Sequence, residues 1–214
     1  MKIELEHIRP ADIEKRSMEL IDAELTRPLN PVNAPIIRRV IHTTADFDYA
    51  DTLVFTGNPV EKGVAALKGG CDIVTDTTMV LSGINKRVLH KLGGTVLNYI
   101  ADPQVAQEAK ARGITRSAVS MERAAQLNRP LIYAIGNAPT ALIRLYELLE
   151  SGQMVPPALI IGVPVGFVNV VEAKELVLTL DTPSIVARGR KGGSNVAAAI
   201  CNALLYLASE NERE

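Results

Sequence analysis

Six short apolar runs, each followed by a stretch with helical periodicity, constrain the fold of this chain more than any other feature of its sequence. None of the runs contains a proline, so all six can pair inside a sheet. Because parallel strands are joined by crossover helices, this alternation predicts a three-layer α/β/α fold with a doubly wound, mainly parallel sheet. The runs are residues 53–56, 72–75, 95–99, 131–135, 159–163 and 184–187.

The composition agrees with a sheet that helices cover on both faces. Of the 214 residues, 47% are hydrophobic and only 4% are aromatic, which is typical of aliphatic parallel strands in an α/β protein. The sequence has no internal repeat, low-complexity segment or linker, so we expect residues 1–214 to form a single domain.

Charge and hydropathy argue against nucleic acids and membranes as partners. The formal net charge of −1 provides no broad cationic surface for a nucleic acid. No apolar stretch approaches the roughly 20 residues that span a bilayer, and the first residues lack the pattern of a signal peptide. We therefore expect a cytoplasmic protein.

The sequence predicts neither a disulfide framework nor a metal site. Cys71 and Cys201 lie far apart, and neither has a neighbouring cysteine. Asp46, Asp48 and Asp51 are close in sequence, but no glycine or distal glutamate completes a calcium loop around them. We interpret this acidic segment as a solvated turn.

One histidine lies on a predicted helix beside both a base and an acid. On a helix that starts near Pro35, Arg38, His42 and Asp46 follow one another at intervals of four along one flank. A histidine titrates near neutral pH, so this arrangement suits a group that gives or shares a proton. The alternative is a hydrogen-bonded structural histidine at the edge of an apolar face. That face consists of Ile36, Ile37, Val40 and Ile41.

Ser17 is a polar residue on the apolar face of an earlier helix, which begins at Pro10. Ile13, Leu20 and Ile21 share this face with it. The Ser17 hydroxyl either bonds back to a carbonyl of its own helix or points into a site, and the sequence leaves both interpretations open.

Five loops that follow the apolar runs are rich in glycine, asparagine, threonine and proline. In doubly wound sheets ligands bind beyond the carboxyl ends of the strands, so we expect these loops to form the functional site. The last loop has three cations and two residues that commonly cap helices, Ser194 and Asn195, which makes it the best predicted anion site. The loops are residues 56–59, 76–79, 136–140, 162–169 and 188–195.

These loops match no nucleotide-binding or hydrolase motif. No G-x-G-x-x-G follows the first strand, the Walker spacing lacks its lysine, and G-x-S-x-G is absent. The residues alone therefore predict an α/β protein that binds a large or multiply anionic small molecule, and they leave the reaction open.

Six blocks of the sequence, in order, resemble those of the precorrin-8X methylmutase family, whose members are also called precorrin isomerases. The long blocks around Asn137 and Gly166 are highly specific, and the resemblance extends from residues 14–17 to the C-terminal helix. The blocks are VIH (40–42), DTTMV (76–80), TRSA (115–118), AIGNAPTAL (134–142), GVPVGFV (162–168) and RGRKGGS (188–194).

The resemblance implies an isomerase of corrin-ring biosynthesis. Such an enzyme moves a methyl group from C-11 to C-12 of precorrin-8X or cobalt-precorrin-8 and gives hydrogenobyrinate or cobyrinate. The family also implies a flavodoxin-like fold, a homodimer with the tetrapyrrole near the subunit interface, and no separate cofactor, since any cobalt belongs to the substrate. His42 aligns with the family histidine that protonates or hydrogen-bonds a ring nitrogen, and Ser17 and Arg116 align with residues that line the site.

The carboxylate groups of such a substrate require several hydrogen-bond donors spread over the site. We expect these contacts from Ser17, Arg116, Asn137, Thr140, Arg188, Arg190, Lys191, Gly192 and Ser194. The structural alternatives are a first-turn helix residue for Arg116, a helix cap for Asn137 and a solvated turn for residues 188–191. The functional alternatives are a corrinoid carrier without catalysis and, from the glycine loops alone, an α/β enzyme that binds a phosphosugar or nucleotide.

Overall fold

The computed structural model describes residues 6–210 and is built around one six-stranded sheet. The strands are β1 (Leu53–Thr56), β2 (Ile73–Thr75), β3 (Val96–Leu97), β4 (Ile132–Ile135), β5 (Leu159–Gly162) and β6 (Ser184–Ala187). Their order in the sheet is β1-β6-β5-β4-β2-β3, and all neighbouring strands are parallel except β1 and β6. The predicted doubly wound, mainly parallel sheet is therefore confirmed.

Helices connect and cover the strands. Four α-helices have a proline in the first turn, where its missing N–H removes no helical hydrogen bond; they begin at Ala34, Pro59, Pro103 and Pro139. The helices are α1 (Ile13–Glu24), which follows a 3₁₀ turn at Pro10–Asp12, α2 (Ala34–Thr44), α3 (Tyr49–Thr52), α4 (Pro59–Lys68), α5 (Thr78–Gly83), α6 (Lys86–Lys91), α7 (Pro103–Arg112), α8 (Arg116–Ala125), α9 (Pro139–Glu150), α10 (Val170–Leu178) and α11 (Ser194–Ala208).

The sheet separates two hydrophobic clusters because successive strand residues point to opposite faces. Ile132 and Ile161 pack with residues of α1, α2, α4, α5, α6 and α11. Their neighbours Tyr133 and Ile160 pack on the other face with α8, α9 and α10. The central strands β4 and β5 are buried throughout, which gives the three layers that the sequence predicts.

The strand order places a topological switch point between β2 and β4. Without β1, the parallel strands occur in the flavodoxin-like order. β3 lies beside β2 at the edge of the sheet, and β4 lies on the other side of β2. The chain turns in opposite directions from β2 and from β4. The loops that leave these two strands therefore border an open crevice at the carboxyl edge of the sheet.

One strand runs in the direction opposite to the prediction. Leu53 pairs with Ala187 and Thr56 with Ser184, so β1 begins where β6 ends. The reason is that α2 and α3 deliver the chain to the carboxyl edge before β1 starts. The loop at residues 56–59 consequently lies at the opposite edge, where a Cβ atom on Gly57 would lie 3.3 Å from the Cα atom of Pro183. Its assignment to the functional site is therefore wrong.

Other differences concern short elements. β3 has two residues, whereas the sequence predicts a strand over residues 95–99. The acidic segment contains the short helix α3. The sequence pattern does not indicate α6 and α10 as separate helices. Within residues 6–210, no helix is both long enough and apolar enough to cross a membrane.

Candidate active site

Asp76 connects the two loops that border the switch point. It directly follows β2, its side chain is fully buried, and it accepts three backbone hydrogen bonds from the residues after β4. The N–H groups of Gly136, Asn137 and Ala138 lie 2.9, 2.8 and 2.7 Å from its carboxylate oxygens. Burial raises the pKa of Asp76, and these three hydrogen bonds oppose that shift.

The start of α11 closes one side of the crevice. The hydroxyl groups of Thr77 and Ser194 lie 3.0 Å apart, and Thr77 also caps α5 by accepting the N–H of Val80. A Cβ atom on Gly136 would lie only 2.7 Å from the Cα atom of Ser194, so this contact requires glycine. Ser194 therefore lies where the loops after β2 and β4 meet, although the residue that caps α11 is Gly193 and not Ser194 or Asn195.

The loop after β6, residues 188–193, packs closely on the end of β5. The N–H of Gly193 donates to the carbonyl of Val163 at 2.9 Å, and the N–H of Gly166 donates to the carbonyl of Arg190 at 3.2 Å. A Cβ atom on Gly192, which has a φ of +158°, would lie 2.2 Å from the Val163 carbonyl oxygen. Gly192 thus permits the contact that brings the β6 loop into the site.

The three cations of the β6 loop differ in their partners. Arg188 pairs with Glu175 at 3.1 Å, and Lys191 pairs with two aspartates, as described below. The guanidinium of Arg190 lies 5.5 Å from the centre of the Phe167 ring, and no carboxylate within residues 6–210 pairs with it. Arg190 is therefore the cation of this loop whose charge is available to an anionic ligand.

Lys191 joins the β6 loop to the segment that follows the predicted catalytic histidine. Its ammonium lies 2.6 Å from Asp46 and 2.7 Å from Asp48, and this pairing lowers the pKa of Asp46. The acidic segment is therefore a partner of the β6 loop and not simply a solvated turn.

His42 lies in the last turn of α2, and its side chain is exposed. The predicted stack of Arg38, His42 and Asp46 is wrong, because the helix ends at Thr44 and Ala45 takes a left-handed conformation with a φ of 52°. Arg38 instead pairs with Asp22 at 2.6 Å. In the described part of the chain the imidazole has no hydrogen-bond partner, so the alternative of a hydrogen-bonded structural histidine is not supported.

Ser17 lies apart from the loops at the carboxyl edge. Its hydroxyl donates to the carbonyl of Ile13 at 2.9 Å, which is the back-bonding interpretation. The next residue, Met18, lines a groove with Pro35 and with Tyr206 near the end of α11. No hydrogen bond in the described structure joins Ser17 to the other predicted site residues.

Arg116, Asn137 and Thr140 lie on the far side of the crevice. Arg116 opens α8 and reaches the carbonyl of Ile100 at 3.4 Å, close to the end of β3. Thr140 accepts a hydrogen bond from Thr115 at 2.9 Å, and both line a cleft of about 290 Å³ between α8 and α9. The Asn137 side chain is exposed and does not cap α9, whose N-cap residue is Ala138.

Sequence reasoning missed two buried charged residues that support the site. Asp76 is an acid directly after a fully buried strand, where a buried carboxylate requires donors from a neighbouring loop. Lys174 lies on α10 among the buried residues Val170, Ala173 and Val177, so it interrupts an otherwise apolar face. It donates to the carbonyls of two residues in the β6 loop, and burial lowers its pKa to about 8.

Comparison with known proteins gives consistent matches along nearly the whole chain. The sequence profile of the precorrin-8X methylmutase family matches residues 12–207. The cobalt-precorrin-8 methylmutase of Salmonella typhimurium is 47% identical over 207 residues, which cover 92% of this chain and 95% of that protein. The precorrin-8X methylmutase of Pseudomonas aeruginosa is 41% identical over 179 residues, with coverages of 81% and 82%. The precorrin-8X methyl mutase structure from Thermus thermophilus superposes with a TM-score of 0.85 at 38% identity and covers 93% and 98% of the two chains.

Proposed function

Because the chain belongs to the precorrin-8X methylmutase family and is an isomerase of cobalamin biosynthesis, we propose that its reaction takes place at the carboxyl edge of the sheet. The reaction is the shift of a methyl group from C-11 to C-12 of precorrin-8X or cobalt-precorrin-8. It yields hydrogenobyrinate or cobyrinate. The relatives are named as enzymes, so a corrinoid carrier without catalysis is not favoured.

One observation carries the assignment of the site. The segment after His42 is bound through Asp46 to Lys191, and the β6 loop is bound in turn to the end of β5. Asp76 brings the β4 loop to the same edge. The proton-sharing His42, the crevice of the switch point, and Arg190, which has no carboxylate partner within residues 6–210, therefore belong to one connected surface.

The roles of the residues follow from this surface. We assign His42 as the group that protonates or hydrogen-bonds a ring nitrogen, because its imidazole is exposed and has no hydrogen-bond partner within residues 6–210. Arg190 and Arg116 bind carboxylate groups of the tetrapyrrole, with Asn137, Thr140 and Ser194 as further polar contacts. Lys191, which already pairs with two aspartates, holds the loop. An intramolecular methyl shift needs no hydride donor or nucleophile, so the proposal includes no separate cofactor.

Turnover by the purified protein tests this function. We expect a new corrin absorption spectrum to appear when the protein is mixed with cobalt-precorrin-8 or with precorrin-8X, and the product to have the mass of the substrate. Assays with both substrates also determine whether cobalt must be in the ring. Binding of both compounds without any spectral change would favour the carrier alternative.

The proposed assembly is a homodimer that completes the site. Large apolar side chains are exposed at the carboxyl edge, where Phe167 is 81%, Val168 76% and Met79 69% exposed. An apolar surface of this kind often marks a protein interface. Ser17, which lies away from the loops of its own chain, would approach the substrate from the partner subunit.

Light scattering tests the assembly. We expect twice the mass of the chain for the wild type, and a concentration-dependent shift toward the monomer when Phe167 and Val168 are both replaced by serine. Leu127→Ser is the matched control, because Leu127 is 39% exposed just beyond the end of α8 and away from this edge. A monomeric wild type, or equal dissociation of the control, would contradict the proposed interface.

A further inference from the structure

Among the described residues, Lys174 is a buried cation without an acidic partner. Its side chain has 0% relative exposure, and it is the only buried lysine or arginine within residues 6–210. The ammonium donates to the carbonyl oxygens of Gly189 at 2.7 Å and Lys191 at 2.8 Å. No salt bridge in the described structure includes it, so its charge is compensated by peptide dipoles alone.

Burial of a lysine under a loop without an acidic partner is energetically unfavourable. Burial without an acid penalises the ammonium, and this desolvation lowers the pKa of Lys174 to about 8. An apolar side chain of similar volume often serves as well or better for stability. The other buried residues of this face, Val170, Ala173 and Val177, are all aliphatic. The presence of lysine is therefore better explained by what it holds than by packing.

Lys174 determines which way the peptide groups of the β6 loop point. It binds the carbonyls of Gly189 and Lys191, and the carbonyl between them, that of Arg190, accepts the N–H of Gly166. In a planar trans peptide the C=O and the following N–H point in opposite directions. Hence the N–H groups of Arg190 and Gly192 point away from the Lys174 ammonium, and the N–H of Lys191 points away from Gly166. Within residues 6–210 these three N–H groups have no acceptor.

We propose that Lys174 is a positioning residue of the methylmutase site, which holds the β6 loop so that its N–H groups and Arg190 face the carboxylate groups of the substrate. This inference rests on the proposed function, because it requires that a polycarboxylated ligand binds at this loop. Lys174 itself does not touch the substrate. It acts through the backbone of Gly189 and Lys191, and its buried positive charge lies beneath the same loop.

Steady-state kinetics of Lys174→Met provides the first test. Methionine keeps an unbranched side chain that is one heavy atom shorter, but it removes the N–H donors and the charge. We expect KM for the tetrapyrrole to rise about tenfold while kcat changes by less than about threefold, since the loop contributes to binding and not to the proton transfer. Lys110→Met, at an exposed position on α7, is the matched control and should leave both constants unchanged.

Limited digestion with trypsin provides a second readout that does not depend on turnover. The β6 loop contains three trypsin sites, at Arg188, Arg190 and Lys191. In Lys174→Met we expect cleavage at these sites to accelerate about tenfold, as detected by the masses of the C-terminal fragments, because the loop has lost two of its anchors. Cleavage elsewhere in the chain should keep its wild-type rate.

Lys174→Gln distinguishes positioning from a general loss of folding. Glutamine keeps N–H donors without the charge, so its KM and its loop cleavage should lie between those of the wild type and of Lys174→Met. A wild-type KM together with wild-type loop cleavage in both variants would overturn the proposal. If the wild type itself showed no turnover, the proposed function would fail instead, and the trypsin rates would still decide whether Lys174 holds the loop.

Discussion

A His42→Ala variant is expected to fold like the wild type and to lose about 10²–10⁴-fold in kcat, the range that a positioned proton donor contributes. Its fold should survive because the imidazole is exposed at the end of α2 and has no hydrogen-bond partner in the described part of the chain. The buried face of this helix, which includes Val40 and Ile41, is unchanged by the substitution. The measurement is the rate at which the corrin spectrum appears under saturating substrate.

The matched control for this prediction is His90→Ala. His90 is also an exposed histidine in the last turn of a helix, α6, but it follows β2 and α5 and belongs to no part of the proposed site. We expect wild-type kinetics from His90→Ala and an unchanged melting temperature from both variants. Wild-type turnover by His42→Ala would remove His42 from the proposed mechanism and would leave the family assignment intact.

The kinetics of His42→Ala would also show which part of the catalysis the protein provides. The methyl group moves within one molecule, so the enzyme has to hold the macrocycle close to its rearranged geometry and to stabilise the altered charge of the ring. Arg190 and the β6 loop serve the first task in the proposed site, and His42 serves the second. A large effect on kcat at His42 and a large effect on KM at Lys174 would separate these two tasks experimentally.

The sequence predicts the sheet well where packing alone determines the strands. The runs at residues 131–135 and 159–163 differ from β4 and β5 by one residue at one end, because continuous apolar residues and flanking turns leave few alternatives. The direction of β1, in contrast, does not follow from its own sequence. Its four residues would suit a parallel or an antiparallel edge strand equally, and the choice depends on where α2 and α3 deliver the chain.

The site is predictable in its location but not in its connections. Loops after parallel strands meet at one edge in any doubly wound sheet, so the glycine-rich loops could be assigned to it from sequence. The pair between Lys191 and Asp46 joins residues that are 145 positions apart, and nothing local in either segment indicates it. Likewise, the free charge of Arg190 becomes visible only when Arg188 and Lys191 are seen to have partners.

Asp76→Ala is expected to lower the free energy of unfolding by about 3 kcal/mol, because each buried N–H group that loses its acceptor costs about 1–3 kcal/mol. Three N–H groups, those of Gly136, Asn137 and Ala138, depend on this carboxylate. The same substitution also removes a buried charge, and this offsets part of the loss in the free energy of unfolding. The matched comparison is Asp102→Ala, which removes an acceptor of one N–H at the start of α7 and should cost about 1 kcal/mol.

The difference in unfolding free energy between the wild type and Asp76→Ala should depend on pH, and this dependence provides a further test of Asp76. Burial raises its pKa above the ordinary value of 3.8, so the folded protein holds this proton more tightly than the unfolded chain does. The stability linked to this titration is therefore fully present below pH 3.8 and is lost as the pH rises through the folded-state pKa. Urea unfolding should show the gap in unfolding free energy between the wild type and Asp76→Ala narrowing as the pH rises above about 4. A gap that widens over this range would mean that the three N–H groups outweigh desolvation, and that Asp76 supports the switch point chiefly as a carboxylate.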